Sequence, residues 1–474
     1  MIITFPRYIA DRHCGYCNDS KTDYYALESE AKAKAETKAD EMDAIDSKQA
    51  MTIGCSIIKM TCLEYDELIN KGFRRSGTFL YKNDLLRTCC RLYTIRTNQS
   101  QFKLNKKQRK VVNRFIHEIC PDESVLEPVK KNQFSLERLI EAQLKSTSYR
   151  TSFEPSSFTK EKFELYKKYQ VGVHNDDPAD VTEKSFKRFL CDTPFSKREM
   201  AGSEEEWRGL ELGNWTRRDS TIPGKRVGPT HECYYLNDKL IAISVLDFLP
   251  SGVSSIYFIW DPDYAYLSLG TLSGIKEIQM CDKLGYEWYY LGYYIEDCPK
   301  MVYKGQFGGQ LLDVCNEAYY PLEKVHDYIK NGRLFVIGDK TSSAPSAEIS
   351  MLNNDYPEQG VFNEDCYNAA EDIYGRTNDG GSDVARNHQR ALLKKYKVDT
   401  TSSEYMLPAV VPGVIPLSQI LQWFRDGTIG EGYTQKIGGT SYRLSELSPV
   451  GRGLVIDCIR LFGLDRMNDT AIAY

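Results

Sequence analysis

Gly228-Pro229-Thr230-His231-Glu232-Cys233-Tyr234-Tyr235 and the apolar run Leu240-Ile241-Ala242-Ile243-Ser244-Val245-Leu246 decide the architecture, with Asp238 at the hairpin turn between them. The turn signal Leu249-Pro250-Ser251-Gly252 leads into Val253-Ser254-Ser255-Ile256-Tyr257-Phe258-Ile259-Trp260, then Asp261-Pro262-Asp263-Tyr264. The aromatic run Tyr286-Glu287-Trp288-Tyr289-Tyr290-Leu291-Gly292-Tyr293-Tyr294 follows, and the region closes on Ile295-Glu296-Asp297-Cys298-Pro299-Lys300. Runs this apolar belong in the middle of a sheet covered on both faces. Acids and aromatics crowd the strand ends, which fits either a site or a plain sheet core with acidic turns.

Leu272, Ile275, Ile278 and Cys281 recur every three residues and predict an amphipathic helix over 270–284. It starts at Ser268-Leu269-Gly270-Thr271, just after a strand end. Free N–H groups and a positive dipole there suit an anion or a polar carbonyl. A strand pair, a long central strand and this helix follow the order of a GNAT-type acyltransferase core. The expected fold class is therefore α/β (α+β), with a mixed sheet. The usual acetyl-CoA loop, Arg or Gln followed by Gly-x-Gly, is absent, which argues against a coenzyme A enzyme.

The chain has 474 residues, 41% hydrophobic and 27% charged, as expected of a soluble protein with two to four domains. Its net charge of −5 gives no global attraction to nucleic acid, so an RNA contact needs a local basic face. No apolar run approaches the roughly 20 residues that span a bilayer, and no targeting segment is visible. The expectation is a cytoplasmic protein, or a nuclear one by an unseen route, with no membrane partner. Fourteen Cys in such a chain read as core thiols or metal ligands.

Cys14-Gly15-Tyr16-Cys17 permits a tight turn that points two sulfurs one way. Cys89-Cys90 is the matching half when both lie in a loop or bulge. Four thiolates suit tetrahedral zinc or an iron–sulfur cluster, with His13 as a spare ligand. Arg74, Arg75, Arg87, Arg91 and Arg96 cluster nearby, in or beside expected strands at 74–81 and 89–96. A guanidinium fork fits phosphate or carboxylate, though a solvated strand face explains such a cluster equally well. Lys106, Lys107, Arg109, Lys110 and Arg114 mark a basic helix with an apolar face. Residues 23–50 read as a solvated helix or flexible insertion, and 340–402 as long loops with one helix near Ala391-Leu392-Leu393. Helices are expected at 417–424 and 454–462.

Several runs together resemble the arginyl-tRNA–protein transferases of fungi and animals. They are Cys14-x-x-Cys17, Gly72-Phe73-Arg74-Arg75-Ser76-Gly77, Cys89-Cys90-Arg91-Leu92-Tyr93-Thr94-Ile95-Arg96, Lys187-Arg188-Phe189-Leu190-Cys191-Asp192-Thr193-Pro194 and nearly all of 228–304. Ser273-Gly274 departs from the expected Ser-Ala. The resemblance implies transfer of arginine from Arg-tRNA to the α-amine of proteins beginning with Asp, Glu or oxidised Cys, marking them for N-degron, ubiquitin-dependent degradation. It also implies a GNAT-like fold and a zinc or iron–sulfur centre at Cys14, Cys17, Cys89 and Cys90. The ester is already activated, so no ATP and no coenzyme A is expected.

On that reading Asp261, Asp263 and Glu277 are candidates for positioning the amine or the arginyl guanidinium. Glu296 and Asp297 are further candidates for the guanidinium. Arg74, Arg75, Lys187 and Arg188 are candidates for the acceptor's acidic side chain, and Lys300 and Lys304 for the tRNA 3′ end. Trp260, Tyr293 and Tyr294 are candidates to stack on the terminal adenine. The expected units are a metal-binding domain at 1–150, a GNAT-like catalytic domain at 151–338 and a C-terminal extension at 339–474, in a monomer. Rivals are a coenzyme A-dependent acetyltransferase, a leucyl-tRNA–protein transferase on the same scaffold, and a metal-containing RNA-binding protein without activity.

Overall fold

The computed structural model describes residues 1–11, 14–17, 50–86, 88–128, 133–215, 224–340, 362–370, 406–408 and 410–473. His13, Arg87, residues 23–49 and the segment around Ala391-Leu393 lie outside the described residues.

The central sheet has eight strands: β1 Tyr93–Thr97, β2 Tyr149–Pro155, β3 Gly228–Leu236, β4 Lys239–Phe248, β5 Gly252–Trp260, β6 Trp288–Tyr294, β7 Gln310–Asp313 and β8 Ala318–Pro321. Their order is β8-β7-β1-β6-β5-β4-β3-β2. Only β5 and β6 run parallel; the other neighbours are antiparallel. The mixed sheet and α/β class follow the expectation, and the order is compatible with a GNAT-like core. β4 is buried along nearly its whole length, as its unbroken apolar run requires.

β5 and β6 pair only through Gly252–Trp288, Val253–Tyr289 and Ser254–Tyr290. Beyond these residues the two strands part. β5 stays with β4 as far as Trp260–Ala242, and β6 stays with β1 as far as Tyr294–Tyr93. A register shift between Ser255 and Tyr257 bends β5 where the divergence begins. The sheet therefore opens into a V between its fourth and fifth strands.

Three helices frame the opening: α1 Lys106–Ile119, α2 Lys160–Tyr169 and α3 Leu269–Leu284. α3 starts within one residue of the predicted position and ends on Gly285, whose φ of 75° suits a glycine C-cap. It is buried nearly all round, because it is the crossover joining the parallel pair and packs on both strands.

A second eight-stranded sheet joins the two ends of the chain. Ile2–Ile3 lies between Ala471–Ile472 and Ala50–Lys59, which continues to Phe79–Asn83 and Arg74–Ser76. The predicted strand at 74–81 is thus a hairpin turned at Gly77, whose φ is +57° and which lies against the Arg188 carbonyl. The strand predicted at 89–96 starts only at Tyr93, and Cys89-Cys90 sits in the bend before it. The expected divisions at 150 and 338 do not follow the sheets: β1 from the first segment is an inner strand of the central sheet, and 434–472 complete the second. The C-terminal segment packs on the core through Pro449–Phe462, where Phe462 stacks on Phe73 at 5.5 Å.

The two sheets are tied by a buried ion pair. Arg75 in the hairpin donates Nε to Asp247 Oδ2 at 2.6 Å and Nη2 to Oδ1 at 2.5 Å, and Asp247 sits on β4. Asp247 is fully buried and Arg75 nearly so. Removing one partner of such a pair strands the other charge in the interior. Asp247→Asn is expected to cost about 3–5 kcal/mol by urea unfolding, whereas Arg75→Met with Asp247→Leu should recover much of that loss. A neutral Asp247→Asn would show that the pair does not hold the sheets together.

Candidate functional site

The V between β5 and β6 leads to a cavity of about 200 Å³, walled by Trp260, Tyr303 and the turn Ser268–Thr271. Ser268 is left-handed (φ 53°, ψ 49°) and gives no side-chain cap to α3. The first N–H groups of a 16-residue helix thus face the cavity beside two aromatic rings. Such an arrangement suits a carbonyl oxygen, a developing oxyanion or a phosphate against a stacked base.

Glu277 lies behind this opening and is fully buried. One carboxylate oxygen accepts from Ser244 of β4 and the other from Tyr289 of β6. Burial raises its pKa to about 7; the two hydroxyls oppose the shift and the charge of Glu232 adds to it. The neighbouring Lys276–Glu232 pair is also buried, with the Tyr234 hydroxyl donating to Glu232 at 3.0 Å. Glu277 is therefore closed off from solvent, held between Ser244 and the buried Tyr289.

Asp261 is also closed off. Lys168 and Lys239 pair with it at 2.5 and 2.8 Å, and it accepts from the Asp263 N–H at 3.0 Å, capping the turn at 262–267. Burial opposes ionisation, but the two lysines hold its carboxyl below the ordinary value. Its work is local: it anchors the end of β5. Asp263 is exposed and pairs with Lys168 at 2.6 Å.

Arg75 and Arg74 cannot meet an acceptor. Arg75 is spent on Asp247, and Arg74 is buried, donating to the carbonyls of Phe73 at 2.8 Å and Gly292 at 3.2 Å. Arg91 is buried, and Arg96 is sandwiched between Trp288 and Tyr319 at 3.7 and 3.6 Å. Tyr293 and Tyr294 are core residues, 6% and 2% exposed, so neither ring stacks on a base. Trp260 is half-buried and keeps its place on the cavity wall. Lys304 is turned inward onto the Tyr293 carbonyl at 2.9 Å, and burial, with Arg74 nearby, lowers its pKa to about 7.

Besides Asp263 and Trp260, five candidates stay at the surface or the rim. Lys187 and Arg188 are exposed on the π-helical turn 187–191, with Lys187 Nζ over the Phe158 ring at 3.9 Å. Lys300 and Asp297 are exposed after β6. Glu296 is half-buried, bonded by Tyr294 and by His326 Nε2 at 3.0 Å. Tyr303, Tyr289 and Ser244 emerged only from the structure, whereas the Ser268–Thr271 turn lies where the sequence places the helix start. Tyr303 sits in a 3-10 turn with no periodicity to mark it.

The four predicted cysteines do converge. The sulfurs of Cys14, Cys17, Cys89 and Cys90 all lie within 4.8 Å of one another, with Cys14–Cys90 at 3.7 Å and Cys17–Cys89 at 3.8 Å. Hydrogen bonds from Cys89 and Cys90 pull the Cys14 thiol strongly down, while Cys89 is pushed up to about 12. A cluster that stabilises a thiolate suits a cation. The Cys298 sulfur donates to the Tyr16 carbonyl at 3.5 Å and so joins the cluster's shell to the segment after β6.

Profiles described as the N terminus and the C terminus of arginine-tRNA-protein transferase match residues 12–110 and 161–313. The chain is 38% identical to arginyl-tRNA–protein transferase 1 of Saccharomyces cerevisiae over 97% of its length and 95% of that relative. It is 27% identical to arginyl-tRNA–protein transferase 1 of Drosophila melanogaster, over 57% of this chain and 77% of the relative. An aspartate/glutamate leucyltransferase of Campylobacter jejuni is 22% identical over 51% of this chain.

The buried Glu277 has a consequence for stability. Unfolded, its carboxyl ionises near 4.3; folded, near 7. Unfolding therefore releases a proton between those values, and stability falls as pH rises through that window, by about 4 kcal/mol in all. Glu277→Gln should lack this loss, so its urea midpoint should gain on the parent's between pH 5 and pH 8. Parallel pH profiles would contradict the assignment.

Proposed function

The chain belongs to the arginyl-tRNA–protein transferase family and is a transferase, and from that premise we propose that the V-shaped cleft is where arginine passes from Arg-tRNA to the α-amine of an acceptor protein. The observation that carries this reading is the unpaired stretch of β5 and β6 with the α3 N-terminus and two aromatic rings at its mouth. The terminal adenine stacks on Trp260 and Tyr303. The amine attacks the ester carbonyl, the oxyanion is met by the N–H groups of Leu269 and Gly270, the Thr271 N–H being held by the Ser268 carbonyl at 3.0 Å, and the ribose oxygen leaves with the proton. An α-amine of pKa about 7.7–8.0 is already partly neutral near pH 7, so only a mild base is required. The acidic residues after β6, Glu296 and Asp297, receive the arginyl guanidinium. Lys187 and Arg188 receive the acidic side chain of acceptors beginning with Asp, Glu or oxidised Cys, Lys300 meets the tRNA 3′ end, and the product enters N-degron degradation.

The metal centre is read as a single tetrahedral ion held by Cys14, Cys17, Cys89 and Cys90. Thiolates about 2.3 Å from zinc define a tetrahedron with edges of about 3.8 Å, close to the 3.7 and 3.8 Å sulfur separations. Cysteines of a four-iron cluster bind different irons and stand further apart. A bound ion would cross-link the turn at 14–17 to the bend before β1 through these four thiolates. Metal analysis after anaerobic purification should find about one zinc per chain; about four irons with acid-labile sulfide would overturn this part.

Labelled arginine from Arg-tRNA should transfer to a peptide beginning with Asp and not to the same peptide beginning with Asn. Transfer from Leu-tRNA, or none at all, would defeat the reading. Base stacking on an aromatic contributes about 1–3 kcal/mol, so Trp260→Ala should raise the KM for Arg-tRNA by about tenfold or more, with the peptide KM little changed. Equal effects on both substrates would remove Trp260 from the tRNA subsite.

A further inference from the structure

α1 is amphipathic in an unusual sense. Its inner face buries Gln108, Val112, Phe115, Ile116 and Ile119. Its outer face exposes Lys106, Lys107, Arg109, Lys110 and Arg114. No Asp or Glu occurs between residues 101 and 117, in a chain whose net charge is −5. Among the described residues, no carboxylate pairs with Lys106, Lys107, Lys110 or Arg114. The first turn holds two lysines and no acid, where the helix dipole favours the opposite. Helix stability does not account for this charge, and neither does pairing within the fold.

The stripe is also aimed. Lys107, Lys110 and Arg114 stand at i, i+3 and i+7, a line about 10 Å long on one side of the helix. At its end Arg114 Nη2 donates to Ser268 Oγ at 2.8 Å, and Ser268 is a wall of the cleft cavity. On the other side Gln108 Nε2 donates to the Gln306 carbonyl at 3.2 Å, in the same short turn as Tyr303. The basic line therefore ends where the aromatic walls begin.

We propose that the exposed face of α1 is the track for the acceptor stem of the aminoacyl-tRNA, with Lys106, Lys107 and Lys110 on phosphates and Arg114 at the point where the single-stranded 3′ end turns into the cleft. A row of cations without carboxylate partners matches a polyphosphate backbone, and it supplies the local basic face that an acidic protein needs to hold RNA. The inference deepens the proposed transfer and rests on it.

The test is the triple variant Lys106→Gln, Lys107→Gln and Lys110→Gln, compared with the parent in the full chain. The probes are deacylated tRNA-Arg for binding as a function of salt, and Arg-tRNA for kinetics. Loss of three phosphate contacts should reduce the slope of log K against log salt by roughly 2–3 and raise the KM for Arg-tRNA at least tenfold, leaving the KM of the acidic peptide in place. A minihelix carrying only the acceptor stem should show the same fold-loss as whole tRNA. An unchanged slope and KM beside an active parent would overturn the track and leave the transfer reading standing; an inactive parent would overturn the transfer reading itself. A rise in peptide KM instead would make the face an acidic-protein site, and a loss seen only with whole tRNA would move the stem elsewhere; either outcome rejects the proposal.

Discussion

Arg75 and Asp247 meet inside the protein, almost wholly buried, and much of the molecule's geometry is referred to that contact. Arg75 belongs to a hairpin in the sheet that closes the chain; Asp247 belongs to the most deeply buried strand of the other sheet. Two flat surfaces packed only by apolar groups could slide by a residue at modest cost. A two-pronged ion pair cannot, since each prong has one acceptor at one distance. The bend carrying Cys89-Cys90 lies between the hairpin and β1, so the same registration sets the thiolate cluster relative to the V.

The opening itself follows from unequal loyalties of two strands. β5 continues with β4 and β6 continues with β1 after their mutual pairing stops. Backbone groups that would have bonded each other are left facing a gap, and α3 presents its unsatisfied N–H groups to the same region. Buried polar side chains hold the gap from behind, Glu277 bridging β4 and β6 through Ser244 and Tyr289. The cleft is thus made by backbone topology, with side chains as its back wall.

Much of this was legible in the residues. Local signals did best: the three-residue recurrence from Leu272 to Cys281 located α3, and the Gly-Tyr spacer with Cys89-Cys90 identified the four thiolates. Charges and aromatics misled wherever a distant partner decided their role. Arg75 reads as a surface cation until Asp247, 172 residues away, is brought to it. Tyr293 and Tyr294 read as stacking platforms, but β6 is an inner strand, and a tyrosine there is core. Asp261 looked catalytic because it ends a strand; that position also makes it a cap, and two lysines complete it. Tyr303 carries no local signal, since its place on the cavity wall depends on how the chain turns after Cys298-Pro299.

Ile2–Ile3 is held between Ala471–Ile472 and the long strand Ala50–Lys59. That pairing has a bearing on biosynthesis. The sheet carrying the Arg75 hairpin cannot be finished until residues 471–472 have left the ribosome, whereas every strand of the central sheet is available by residue 321. During translation one sheet can assemble while the other waits with an unpaired edge, and unpaired edges invite association with other chains. The interval between the two is a window in which that edge stays open to other chains.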